Sequence, residues 1–272
     1  NVTFPCTMVD RIVPAVTEET LQLIADQLGV FDPCGIACEP FRQWVIEDNF
    51  VNGRPEWDNV GAQFVEDVVP FEMMKLRMLN GSHSFLAYLG YLAGYETIAD
   101  TMANPEYRQA VRKLMLNEQA PTLSMPEGTD LSGYADLLLS RFTNPSLRHR
   151  TSQIAMDGSQ KLPQRLLDPI RIHLAKGTDH RHLVLGVAGW MRYVRGLDDK
   201  GQKIDIVDPL FARYQAIHQQ YHSAQERVRA LLAIESIFGR DLPENSSFVN
   251  AVMETYVRLE QRGARAVLES LQ

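Results

Sequence analysis

From Pro70 onward the apolar residues keep helical spacing almost to the end of the chain, and this pattern constrains the fold more than any other feature. Pro70 suits a first helical position, because the N–H it lacks is one that a helix start leaves unpaired anyway. Residues 71–94 follow as a long apolar-rich segment. Further starts are marked by Asn104-Pro105, by Asp130 and by Asn144-Pro145, the last running toward Met156 until Asp157-Gly158 breaks it. Residues 162–175, 180–195, 208–219, 224–238 and 246–271 complete the series, with Asp208 as N-cap and Pro209 at the first helical position. There is no internal repeat and no low-complexity linker.

The opening of the chain reads differently. Its first sixteen residues alternate and contain Pro5 and Pro14, which predicts extended backbone. Thr17 caps a helix whose apolar stripe is Leu21, Ile24, Ala25 and Leu28, and Gly29 ends it. Residues 36–50 are β-branched and aromatic and predict short strands in a hairpin-like element, before the turn Asn52-Gly53. The expected fold is therefore mainly α, one multi-helical domain over residues 1–272, with residues 1–55 as a small extended portion packed on it. A dinucleotide-binding Rossmann domain carries Gly-x-Gly-x-x-Gly between a strand and a helix. No such run occurs, so the Rossmann domain is expected to be absent from this chain. Gly90, Gly94, Gly186 and Gly189 sit inside helical patterns and predict close helix packing.

A chain of 272 residues with 45% apolar and 22% charged residues can build a sizeable core. Its net charge of -7 argues against nucleic acid or an anionic membrane as partner, yet leaves room for one basic pocket. The most apolar stretch, residues 85–93, is far too short to span a bilayer. Cys6, Cys34 and Cys38 show no framework spacing and predict small, buried, reduced thiols in a cytoplasmic protein. The chain opens at Asn1 with NVTFPC, which predicts a start inside a larger protein. P-loop, HExxH and GxSxG motifs are missing, and His180 and His182 fall on different helix faces, so no metal site is expected. Phe85, Leu86, Leu89 and Leu92 read as core, and Trp44, Trp57 and Trp190 as core anchors.

Chemistry concentrates in KLRMLNGSHS, from Lys75 to Ser84. On an α-helix Asn80 lies about 140° and His83 about 80° from Lys75, with about 12 Å of axial distance between Lys75 and His83. A lysine must then reach forward, or the helix must bend, with Gly81 as the bend point. An amine, an amide and an imidazole at one spot suit carbonyl–alcohol redox chemistry. A lysine can move the proton at oxygen when burial lowers its pKa, and an amide N–H can stabilise charge on that oxygen. Spacing alone favours a plainer account, with Glu72, Lys75 and Arg77 as a solvated helix edge, Asn80 as a cap and His83 as a core histidine. On that account the chain is a non-enzymatic helical interaction domain.

KLRMLNGSHS resembles the active-site signature of the polyol-specific long-chain dehydrogenases, the mannitol dehydrogenase family, in which a lysine is followed by asparagine five residues later and histidine eight later. CTMVDRIVP, EPFRQWVIED and WDNVGAQFVEDVVPFE are similar to the C-terminal half of that family, and the similarity runs over essentially the whole chain. The resemblance implies an NAD-dependent oxidoreductase without a metal, with Lys75 as general acid/base, Asn80 polarising the carbonyl and His83 placing substrate hydroxyls. It implies Val9 and Asp10 at the pocket border, Asp10 having a salt bridge to Arg11 or a capping role as its alternative. It implies Lys161, then Arg165, as substrate-binding cations. NAD would be held by a Rossmann domain of the same polypeptide, with no cofactor-binding residue in this chain. MKLRMLNGSHSFLAYLGY and MDGSQKLPQRLLDP are similar to members acting on a sugar acid, the D-fructuronate/D-mannonate pair, with tagaturonate or a mannitol-type polyol as alternatives. Gln153 stands where sugar-alcohol members carry an arginine, eight residues before Lys161. The run Arg148-His149-Arg150 reads as a surface feature.

Overall fold

The structure, a computed structural model, describes residues 2–271. Three short strands come first: β1 (Thr7–Asp10), β2 (Gln43–Glu47) and β3 (Ala62–Val65), in the order β1-β2-β3. Between β1 and β2 lies helix α1 (Glu18–Leu28). β1 runs antiparallel to β2, with Val9 opposite Trp44, and β2 runs parallel to β3, with Trp44 opposite Ala62. The strand content expected over residues 36–50 therefore reduces to β2, and it forms no hairpin. Both its partners are distant in sequence, so local turn chemistry could not reveal the pairing.

α1 has the expected ends. Thr17 and Thr20 form a reciprocal cap, and Gly29 turns left-handed at φ 71° to stop it. Yet none of its residues is buried. The sheet has only a small apolar cluster, Met8, Val45 and Val68. Two expectations fail here for that reason. Cys6, Cys34 and Cys38 are free but exposed, because no core covers these segments. Trp44 is 38% exposed and stacks on Trp57 at 5.2 Å instead of anchoring a core.

The remainder is helical. α2 (Val69–Met74) has a proline in its first turn and leads through a π-helical turn, Lys75–Gly81, into α3 (Ser82–Leu92). α4 (Ile98–Ala103), α5 (Pro105–Lys113) and α6 (Leu131–Phe142) follow, and a second π-turn, Leu114–Gln119, extends α5. The single helix expected after Pro145 is interrupted. A short 3-10 turn ends at Arg148, in the left-handed region at φ 44°, before α7 (Thr151–Ala155) and α8 (Gly158–Leu162). A third π-turn, Pro163–Leu167, joins α8 to α9 (Asp168–Lys176), and α10 (Arg181–Tyr193) comes next. α11 (Phe211–Gln220), α12 (Ala224–Leu232), α13 (Glu235–Phe238), α14 (Asp241–Glu244) and α15 (Ser246–Glu269) complete the chain.

The core is built around α3, α10 and α15. Phe85, Leu86, Leu89 and Leu92 are fully buried, as is Trp190. A Cβ on Gly189 would stand 2.8 Å from the Leu89 side chain, so α10 and α3 approach as closely as the glycine allows. No helix among the described residues is long and apolar enough to cross a membrane.

Candidate active site

The π-turn Lys75–Gly81 determines where the site residues point. A π-turn closes its hydrogen bonds over five residues, so Lys75 and Asn80 stack along the helix axis instead of standing about 140° apart. Gly81 is not a bend point, because its backbone is helical at φ -64°. It is a contact point. A Cβ there would lie 2.7 Å from the Gln119 amide nitrogen and 2.8 Å from the Arg165 carbonyl oxygen. Gln119 and Arg165 belong to the other two π-turns, so all three meet at a residue that has no side chain.

Lys75 is partly buried, and its Nζ donates to the carbonyl oxygen of Val9 at 2.5 Å. Val9 on β1 thus reaches the site through its backbone, while the residue itself is half exposed. Arg165 donates to the backbone oxygen of Asn80 at 3.4 Å and to the Ser84 hydroxyl at 3.1 Å, tying the third π-turn to the first. Burial lowers the Arg165 pKa. Lys161 donates to the carbonyl oxygens of Met156 at 2.6 Å and Ile154 at 3.3 Å. Its pKa is lowered by burial and then by Arg165, with Asp157 and Asp208 opposing. α8, which carries Lys161, is held at its start by Asp208, which accepts from the Ser159 N–H at 2.8 Å. Asp208 does not cap a helix beginning at Pro209; α11 starts at Phe211, and Asp208 also accepts from Leu210 N–H and the Tyr214 hydroxyl.

His83 is 4% exposed and packs against Phe142 at 4.3 Å and edge-on to His149 at 5.1 Å. Its pKa is pushed well below the usual imidazole range, first by burial and then by His149, Arg165 and Arg141. Its surroundings therefore favour the neutral imidazole over the charged one. The run Arg148-His149-Arg150 is a surface feature only at its two arginines. Arg148 and Arg150 do face outward, to Glu19 and, for Arg150, Glu96. Between them His149 turns inward, and burial with Lys161 nearby lowers its pKa to about 4.

Asp10 is fully buried and has no free face for a substrate. Arg141 grips it with two hydrogen bonds, at 2.7 and 2.9 Å, and the Tyr134 hydroxyl donates to it at 3.1 Å. The same guanidinium holds Glu39, which also accepts from Ile12 N–H at 2.6 Å. Arg11 is not the partner of Asp10; it donates instead to the Glu39 carbonyl oxygen. The buried Asp10–Arg141–Glu39 group clamps the segment of β1 to α6, and so fixes Val9 beside Lys75.

Arg165 thus ties the third π-turn to the Lys75–Gly81 turn, and His83 and His149 meet ring to ring. Lys75, Asn80 and His83 make no hydrogen bonds to one another. Among the described residues no group of three His, Cys, Asp or Glu side chains is placed to hold a metal ion.

Residues 67–260 match the family model for the mannitol dehydrogenase C-terminal domain. The chain belongs to the mannitol dehydrogenase family. Residues 1–59 match the model for the mannitol dehydrogenase Rossmann domain. The expectation that no Rossmann part lies in this chain is therefore wrong. The glycine fingerprint marks the first strand–helix turn of such a domain, so a segment from elsewhere in it carries none. The chain is 72% identical over 271 residues to D-mannonate oxidoreductase of Escherichia coli (strain K12), covering 100% of this chain and 56% of that protein. Its fold matches the Pseudomonas fluorescens mannitol 2-dehydrogenase ternary complex with NAD and D-mannitol, with a TM-score of 0.91 and 37% identity. That match covers 99% of this chain and 54% of the other. The chain thus spans about half the length of the relatives it matches.

Proposed function

We propose that this chain supplies the substrate side of an NAD-dependent oxidoreductase that interconverts D-fructuronate and D-mannonate. The observation that carries the reading is the state of its cations. Lys75, Lys161 and Arg165 hydrogen-bond only to neutral oxygens, and among the described residues none forms an ion pair. Three partly buried positive charges without a carboxylate partner fit a substrate that brings its own. The likeness to a D-mannonate oxidoreductase supports the same substrate class.

NAD, when bound, takes or gives the hydride at the substrate carbon. Val9, half exposed on the segment that matches the Rossmann model and bonded through its backbone oxygen to Lys75, would border the bound cofactor. The rest of the chemistry belongs to side chains. During reduction Lys75 donates a proton to the substrate carbonyl oxygen, and during oxidation it takes the proton back. Its bond to the Val9 carbonyl fixes Nζ and leaves its remaining valences for the substrate. Asn80, stacked on Lys75 by the π-turn, offers its amide N–H to the same oxygen as charge grows there. His83, kept neutral, accepts from or donates to a substrate hydroxyl. Lys161 and Arg165 balance the carboxylate.

Lys75→Ala should lower kcat/KM for D-mannonate by the equivalent of about 3–5 kcal/mol while leaving the fold intact by circular dichroism. Full activity in that variant would remove the proton-transfer role and leave a helical interaction domain as the reading.

A further inference from the structure

We infer that Asp208 is a positioning residue for Lys161: it fixes the short turn that carries the amine and so governs affinity for the substrate's carboxylate. This rests on the anionic-substrate reading above. α8 has only five residues. A helix so short gains too few hydrogen bonds to offset the ordering of its first turn, so it does not hold its own place. It also begins at Asp157, whose backbone lies in the left-handed region at φ 54°. A residue with a side chain seldom adopts that conformation unless its surroundings impose it. The turn is therefore held from outside.

Two adjacent residues ahead of α11 supply the hold. Asp157 N–H donates to the Val207 carbonyl oxygen at 2.9 Å, and Ser159 N–H donates to Asp208 Oδ2 at 2.8 Å, so the two bonds flank Gly158. Behind Gly158 there is no room. A Cβ there would stand 2.5 Å from Trp190 Nε1 and 2.8 Å from the Tyr88 hydroxyl, and both those side chains are fully buried. Asp208 is itself anchored, because its Oδ1 accepts from Leu210 N–H at 2.9 Å and from the Tyr214 hydroxyl at 3.0 Å. Lys161 inherits this placement. Its backbone N–H donates to the Asp157 carbonyl oxygen at 3.1 Å, and its amine reaches back to the carbonyl oxygens of Ile154 and Met156. Asp208 thus acts on Lys161 through one turn of backbone. Its charge pulls the other way, since a carboxylate near the site repels an anionic substrate. Loss of the charge alone would improve binding, and loss of the hold would weaken it.

The test is a double-mutant cycle on Asp208 and Lys161 in the enzyme carrying this chain, reading KM and kcat for D-mannonate and KM for NAD. Lys161→Met should raise the D-mannonate KM about 10- to 100-fold, as for the loss of a hydrogen bond to a charged group. Asp208→Ala should raise it about 10-fold, with kcat and the NAD KM each within about 3-fold of wild type. Asp208→Asn has one acceptor oxygen where both carboxylate oxygens are in use, so its KM should rise less than that of the alanine variant. It decides the matter should Asp208→Ala fail to fold. In the Lys161→Met background either Asp208 substitution should add less than about 2-fold, because the two residues act on one interaction. Additive effects, a kcat loss as large as the KM rise, or Asp208 variants whose KM is unchanged or lowered overturn the inference while the substrate reading stands. A Lys161→Met enzyme with the wild-type KM overturns both.

Discussion

Residues 2–65 and residues 66–271 treat their apolar side chains in opposite ways. In the helical part Phe85, Leu86, Leu89 and Leu92 vanish from solvent, and the glycines of α10 let backbones close on them. In the first part α1 has a well-formed cap at each end and an apolar stripe, but Leu23 and Leu28 remain more than half exposed, with Val30, Phe31 and Ile36 beyond them. An amphipathic helix gains most of its stability from the face it buries. In α1 that face, Leu21, Ile24 and Ala25, is only partly buried, on a segment that matches a Rossmann domain model. The difference teaches that the helical part closes its core around α3, α10 and α15, while the first part buries a few residues and leaves most of its apolar side chains in contact with solvent. Two kinds of contact join them: Arg141 from the helical part holds Asp10 and Glu39 from the other, while Ile12 packs into the helical core and Met8 and Val45 pack against Val68 and Phe71.

That junction offers the most severe test. Arg141→Ala leaves two buried carboxylates without their cation and should destabilise the chain by about 3–5 kcal/mol in urea titration. An effect under about 1 kcal/mol would mean the two parts are joined by packing alone. The core itself is tested by Leu89→Ala, expected to lose about 2–5 kcal/mol, against Leu23→Ala, expected to stay within about 0.5 kcal/mol in the same chain. Similar losses at both positions would erase the contrast.

Gly81→Ala sharpens the comparison inside the helical part. Its methyl group collides with the Gln119 amide and the Arg165 carbonyl, and about 1–3 kcal/mol should be lost to overpacking. kcat should fall more than KM rises, since the stacking of Lys75 and Asn80 is disturbed. Acid should then act chiefly on the helical part. His149 and His218 are held near 4 by burial, with Lys161 adding to it for His149 and Arg227, Arg195 and Arg192 for His218; His83 is also depressed. The unfolded chain protonates these rings at about 6.5. Stability is therefore unaffected above that pH and falls as pH drops from about 6.5 toward 4. Each ring contributes up to about 1.4 kcal/mol per pH unit. Denaturation midpoints that stay flat across this window would show the rings to be better solvated than their surroundings indicate.

Features specified by neighbours in the chain were legible in the sequence. The Thr17, Asn104 and Asp130 caps accept from N–H groups two or three residues on, and Pro70 opens a helix. Features specified across the fold were not. Asp10 and Arg141 are 131 residues apart, and Arg11 was the nearer cation to suggest. The parallel pairing of β2 and β3, the inward turn of His149 and the three π-turns depend on what packs against them. A search for glycine motifs could find one end of a Rossmann domain but not the other. For the site, spacing placed Lys75, Asn80 and His83 on one helix, while the contacts of Asn80 with Arg165 and of His83 with His149 exist only in the folded chain.

The winding at Lys75–Gly81 has a further consequence for how such a motif is counted. A single π-turn absorbs one surplus residue while the helix on either side stays in phase. Positions five and eight after Lys75 therefore fall where four and seven would fall on an unbroken helix, within about 40° and 20° of the lysine. The irregular interval between amine, amide and imidazole is an ordinary two-turn stripe with one residue inserted, and removing a residue between Lys75 and Asn80 would straighten the ladder while keeping the stripe aligned.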